Sequence, residues 1–102
     1  MEVIWSQRAV KSLHIIEEYI LREFGENTRL EFMEKAEKTA KNLERFPGIG
    51  KKEPLLAHRK KDYHSCVIAH LSKLIYYKDG ERVVVSDIWD TRREPKKLRT
   101  GL

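Results

Sequence analysis

Arg92 and Arg93 stand where a β-rich stretch ends, in the run Asp90-Thr91-Arg92-Arg93-Glu94-Pro95. A strand end holds charge at a defined place, and guanidinium groups match phosphate or carboxylate oxygens with two parallel hydrogen bonds. The plain alternative is a solvated ion pair with Asp90 or Glu94. A second basic set precedes that stretch: Lys51-Lys52, then His58-Arg59-Lys60-Lys61, with Lys73 further along. Lys51, Lys52, His58, Arg59, Lys60, Lys61, Lys73, Arg92 and Arg93 together define a candidate face for an anionic partner. Against this stands the ordinary fate of charge runs, which is to be a solvated loop.

The remaining reactive side chains point away from metal and thiol chemistry. His64 and His70 fall on the same face of one strand, but six strand residues span about 20 Å. The two rings cannot share a proton or a metal ion. One cysteine, Cys66, excludes an intramolecular disulfide and a multi-cysteine zinc site. It sits mid-strand among apolar neighbours and reads as a small core residue. No metal site and no cofactor are expected.

The elements that must position these groups follow from patterning. Val3-Ile4-Trp5 is a short apolar run that suits a strand. Ser6 offers an N-cap hydroxyl, and Ala9, Leu13, Ile16 and Ile20 then recur at helical spacing up to a stop at Gly25. Thr28 and Glu31 fit a capping box for a second helix, with Phe32, Met33, Ala36, Ala40 and Leu43 on one face. Phe46-Pro47-Gly48 ends it. The short connection at residues 25–27 implies an antiparallel helical hairpin. Residues 49–54 read as a loop, 55–59 as a short strand and 60–62 as a turn. Residues 63–71 alternate like a strand, residues 74–78 form the next, Asp79-Gly80 suits a tight turn, and residues 82–89 form the last. Trp89 ends that apolar run and reads either as core or as a docking residue. The order gives an α+β fold: a short N-terminal strand, then an antiparallel helical hairpin packed on a sheet of three or four antiparallel strands.

The chain has 102 residues, which suits one domain over 1–102. Its net charge of +5 favours an anionic partner: nucleic acid, an acidic protein segment or anionic lipid. No apolar run reaches the roughly 18 residues needed to span a bilayer, and Met1-Glu2-Val3-Ile4-Trp5 lacks the layout of a signal peptide. A cytoplasmic protein that does not enter the membrane is the expectation.

With that order, the residues resemble the RelE/ParE superfamily of bacterial type II toxin–antitoxin toxins, associated with plasmid stabilisation. Ile4-Trp5-Ser6, Ala9, Leu13, Ile16 and Tyr19-Ile20 resemble the family's first strand and helix. Leu43, Phe46, Pro47 and Gly50 resemble the end of its second helix. Tyr63, Val67, Ile75-Tyr76-Tyr77 and the run 88–95 resemble its sheet and exit motif. The resemblance implies a toxin silenced by a cognate antitoxin, for which Leu13, Ile16, Ile20 and Trp89 are the candidate docking residues.

Two branches of the family differ in target. RelE-like members cut mRNA in the ribosomal A site without a metal; ParE-like members poison DNA gyrase. A nuclease of that kind would draw on Arg92, Arg93, Arg59, Lys61 and His64 for charge stabilisation and proton transfer. Nuclease members usually carry a Tyr or His beyond the exit arginine. Here residues 94–102 contain neither. The resemblance therefore favours the ParE-like branch, a non-enzymatic gyrase inhibitor, over a ribosome-dependent mRNA endonuclease. A non-toxic nucleic-acid-binding module is the third reading.

Overall fold

Apolar spacing and capping set the two helices first. In the computed structural model, which describes residues 1–69 and 72–92, β1 (Glu2–Trp5) leads into α1 (Gln7–Phe24). Ser6 caps α1: its hydroxyl oxygen accepts from the Ala9 amide at 3.0 Å and donates to the Ser86 carbonyl at 2.9 Å. One residue ties the helix start to the sheet. Helix α2 (Glu26–Arg45) begins a turn earlier than the Thr28–Glu31 pattern suggests. Gly25 alone joins the helices, with φ 91°, a left-handed value that glycine adopts without strain. Thr28 thus lies inside α2, and its hydroxyl donates to the Phe24 carbonyl at 3.4 Å instead of capping. Arg29 bridges the hairpin, with Glu17 of α1 at 2.6 Å on one side and Glu26 of α2 on the other.

The remaining strands are β2 (Lys51–Lys52), β3 (His64–Ala69), β4 (Ser72–Asp79) and β5 (Arg82–Asp90), in the sheet order β1-β5-β4-β3-β2. The sheet is mixed. β1 runs parallel to β5 through the register Glu2↔Arg82 to Trp5↔Val85, and the other pairs are antiparallel. The expected α+β architecture holds, with five strands in place of three or four. Residues 55–59 are not a strand. Pro54–Leu56 is a 3-10 helix whose N-cap, Glu53, accepts from the Leu55 amide at 3.1 Å. Proline fixes φ near the helical value and has no amide to place in a ladder, so it opens a helix turn more readily than a strand.

Both faces of the sheet are covered. The hairpin face buries Ala9, Phe32, Ala36 and Leu43 against Ile68, Leu74, Tyr76, Val83, Val85 and Ile88. A bulge makes that set possible. The register steps from Tyr76↔Val85 to Ile75↔Asp87, leaving Ser86 as the extra residue, and the shift returns Ile88 to the helix side. On the outer face the 3-10 helix brings Leu56 onto Ile75 and Trp89, flanked by Leu55 and Tyr63.

The tyrosine at the centre of β4 fixes the chain after α2. The buried Tyr76 hydroxyl donates to the Pro47 carbonyl at 2.8 Å and accepts from the Gly50 amide at 2.9 Å. Only glycine fits at 50, since a Cβ there would lie 2.6 Å from that hydroxyl and 2.8 Å from the Ser65 carbonyl oxygen. Tyr76→Phe leaves two backbone groups without a partner, at a cost of about 1–3 kcal/mol. At this chain length each kcal/mol shifts the midpoint by about 4–8 °C, so thermal denaturation should fall by at least ~4 °C. An unchanged midpoint would contradict this anchoring.

Candidate functional site

Arg92 is held, not free. It leaves β5 with its Nε and Nη2 forked onto the Asp90 carboxylate at 3.0 and 2.7 Å. Its Nη1 donates to the Tyr19 hydroxyl at 3.0 Å, and the guanidinium lies 4.8 Å over the Tyr19 ring. The Asp90 bonds, and secondarily the Tyr19 hydroxyl, raise its already high pKa. The sequence offered the Asp90 pair as the plain alternative for this arginine; the structure adds Tyr19. Arg93 lies outside the described residues.

The Arg92–Tyr19 pair closes one end of a groove between α1 and the last residues of β5. Ile15, Ile16, Ile88 and Asp90 line it further, and its volume is about 670 Å³. β1 covers β5 only as far as Val85, so beyond that point β5 has no strand on that side among the described residues. The groove combines exposed apolar surface, with Ile15 59% exposed, and charges of both signs, Arg22 and Arg92 beside Glu18 and Asp90. Such a site suits an amphipathic or extended peptide segment.

The four apolar docking candidates separate. Ile16 lines this groove. Leu13 lines a different one, between the helices, with Trp5, Leu30 and Met33. Ile20 packs against the hairpin-face core. Trp89 is 2% exposed in the outer-face core with Leu56 and Ile75, and so presents almost no surface to a partner. Ile15 is the groove residue that sequence patterning passed over, whereas Tyr19 reads there as part of the first helix and not as a site residue. The signal was Ile15's place one residue off the inward stripe.

The basic set also divides. Lys51 and Lys52 form the short outermost strand, and Lys60 and Lys61 follow the 3-10 helix, all four exposed. Lys61 donates to the Tyr77 hydroxyl at 3.0 Å and sits 4.2 Å over that ring. That bond, the larger cause, raises its pKa. Tyr63 packs edge-on to Tyr77 at 5.5 Å. Arg59 is half-buried beside these lysines and His58 is exposed. Lys73 does not belong to this face. Its ammonium is paired with the Glu53 carboxylate, which is 1% exposed and also accepts from the Ser65 hydroxyl at 3.2 Å. Arg92 is equally remote: it follows Asp90, the partner of Ser72, whereas Lys61 sits over Tyr77 of the same strand. Five strand residues separate those positions, about 17 Å.

The nuclease candidates are parted by the same distance. Arg92 lies at one end of the sheet; Arg59, Lys61 and His64 lie at the other. The His64 ring bonds the Gly50 carbonyl and Asp62 at 3.1 Å each and leans on Tyr76. Cys66 is half-buried on the hairpin side, and burial pushes its thiol pKa up, which suits a core residue. Among the described residues no three of His, Cys, Asp and Glu are grouped to hold a metal, and no helix is long and apolar enough to cross a membrane. His70 lies outside the described residues.

A hairpin on one face of a mixed sheet, with the chain leaving β5 through a basic exit, defines the RelE/ParE toxin architecture. The sequence matches the family described as ParE toxin of type II toxin-antitoxin system, parDE, over residues 3–95. The chain belongs to the ParE toxin family and is a ParE-type toxin of a type II toxin–antitoxin system. No curated protein sequence matches it. Among solved structures, the chromosomal ParDE system from P. aeruginosa superposes with a TM-score of 0.72 at 14% identity, covering 88% of this chain and 95% of that one. A YoeB/ParE toxin from Agrobacterium tumefaciens gives 0.58 at 23% identity, covering 88% and 98%. The YoeB-YefM complex from Staphylococcus aureus gives 0.56 at 21%, covering 86% and 93%. At these identities the likeness is one of fold.

Proposed function

We propose that this toxin inhibits DNA gyrase in the cytoplasm, without catalysis of its own, and that a cognate antitoxin neutralises it by occupying the groove between α1 and the end of β5. The separation of Arg92 from Arg59, Lys61 and His64 by the length of the sheet supports the absence of catalysis, and gyrase as the target rests on ParE-family membership. Transition-state stabilisation needs charge and proton donor within hydrogen-bond reach of one phosphate. The outer face between those ends is filled by Leu56, Ile75 and Trp89 instead of being open to a strand of RNA. The second half rests on Ile15, Ile16 and Arg22 sharing one groove, which offers apolar anchors and a cation beyond the Arg92–Asp90 pair to an amphipathic segment.

The test is to map mRNA ends on translating ribosomes at a dose that arrests growth. Intact A-site codons are expected, with arrest relieved by co-expressing the antitoxin. Codon-phased cleavage would overturn the reading in favour of a ribosome-dependent nuclease.

A further inference from the structure

We propose that the surface formed by Lys51, Lys52, Lys60 and Lys61 binds the phosphate backbone of duplex DNA. The chain's positive charge is not spread evenly. Residues 51–64 hold five Lys and Arg against two acids, whereas residues 7–46, the helical hairpin, hold eight of each. The two acids of 51–64 do little to quench that surface. Glu53 is turned inward onto Lys73, and Asp62 lies between Lys52 at 3.9 Å and His64 at 3.1 Å. Lys51 and Lys60 have no acidic partner within salt-bridge distance among the described residues. Lys52, Lys60 and Lys61 line one depression, and Lys51, next to Lys52 on the edge strand, projects from its other face, so the four exposed side chains straddle one rim of the sheet.

The aromatic residues decide which polyanion fits. Single-stranded RNA is gripped by stacking bases on open rings. Here the Tyr77 face is covered by the Lys61 ammonium, Tyr63 is turned edge-on against it, and Trp89 is buried. The rim therefore offers charge with little open ring surface. Duplex DNA suits that, since its stacked bases need no ring from the protein and its non-specific affinity follows counterion release at the phosphates. The rim is also at the other end of the sheet from the Arg92 groove, so a peptide in that groove leaves it uncovered. The inference stands apart from the choice of gyrase as target, because it concerns DNA alone.

The experiment is fluorescence anisotropy of a mixed-sequence duplex with the full chain over a salt series. The logarithm of affinity should fall with the logarithm of salt at a slope of about −3, roughly 0.9 for each phosphate neutralised. K51Q/K52Q/K60Q/K61Q should lose most of that slope and at least ~10-fold in affinity at low salt. K11Q/K35Q/K38Q/K41Q removes the same charge from the hairpin and should keep the slope. K51Q/K52Q/K60Q leaves the Lys61–Tyr77 contact intact; if the quadruple variant misfolds, the triple variant should still lose about two units of slope. Equal loss in the hairpin variant, an unaltered rim variant, tighter binding of single-stranded RNA of equal length, or no binding at low salt would each overturn the proposal. So would a rim variant that loses the antitoxin instead of DNA.

Discussion

Lys73→Ala should destabilise the toxin by about 3–5 kcal/mol, because it strands the buried Glu53 carboxylate without its cation. At this chain length such a loss lowers the midpoint by well over ~12 °C and brings a domain of ordinary stability near unfolding at growth temperature. The size of the effect follows from geometry. Glu53 caps the 3-10 helix through the Leu55 amide, accepts from Ser65 and pairs with Lys73, so one carboxylate ties the covering turn to β3 and β4. The double variant Glu53→Gln/Lys73→Met removes both charges and keeps an acceptor for the Leu55 amide. It should recover most of the stability, since a buried pair replaced as a unit costs little. Urea denaturation of the three proteins checks this. A single variant within ~1 kcal/mol of wild type would mean that Glu53 is solvated, contrary to its burial. The same pair explains why Lys73 fails as an anion-binding residue: its charge is already matched within the fold.

Ile15→Glu is the second large expected effect, and it falls on binding. Ile15 is 59% exposed, so folding should be unchanged, but the substitution places a carboxylate on the apolar wall of the α1–β5 groove. Losing a central apolar anchor commonly costs about 2–4 kcal/mol, so antitoxin affinity should fall by at least ~30-fold, and by more if the segment is acidic. Val67→Glu, at a 72% exposed position on β3, serves as the control and should bind like wild type. Calorimetry with purified antitoxin decides it. An Ile15→Glu protein that still binds at wild-type strength would place the antitoxin elsewhere, with the inter-helix groove at Leu13 and Met33 the next to test.

Local patterns carried most of the fold. Ser6 as N-cap, the Leu13–Ile16–Ile20 stripe, the hairpin and the β3–β4–β5 meander all depend on neighbours close in sequence, and each was legible there. What escaped depended on distant partners. β1 finds its place beside β5 by parallel pairing across eighty residues. The Ser86 bulge shows only when Ile75 and Tyr76 are laid opposite. The capping box at Thr28 lost because Gly25 can turn the chain within one residue.

The candidate site shows the same divide. Residue type marked Arg92 and the lysine runs as basic. Only the fold could turn Lys73 inward, bring Tyr19 under Arg92 and set the lysine rim at the far end of the sheet from that groove. Trp89 at the end of an apolar run suited core better than docking, and the 3-10 helix places Leu56 over it.

The most direct measurement is plasmid supercoiling by purified gyrase with this toxin added. Supercoiling should fall as toxin is titrated in, and purified antitoxin should restore it, with Ile15→Glu toxin inhibiting equally but escaping the rescue. Undisturbed supercoiling at a large molar excess of folded toxin would contradict the account.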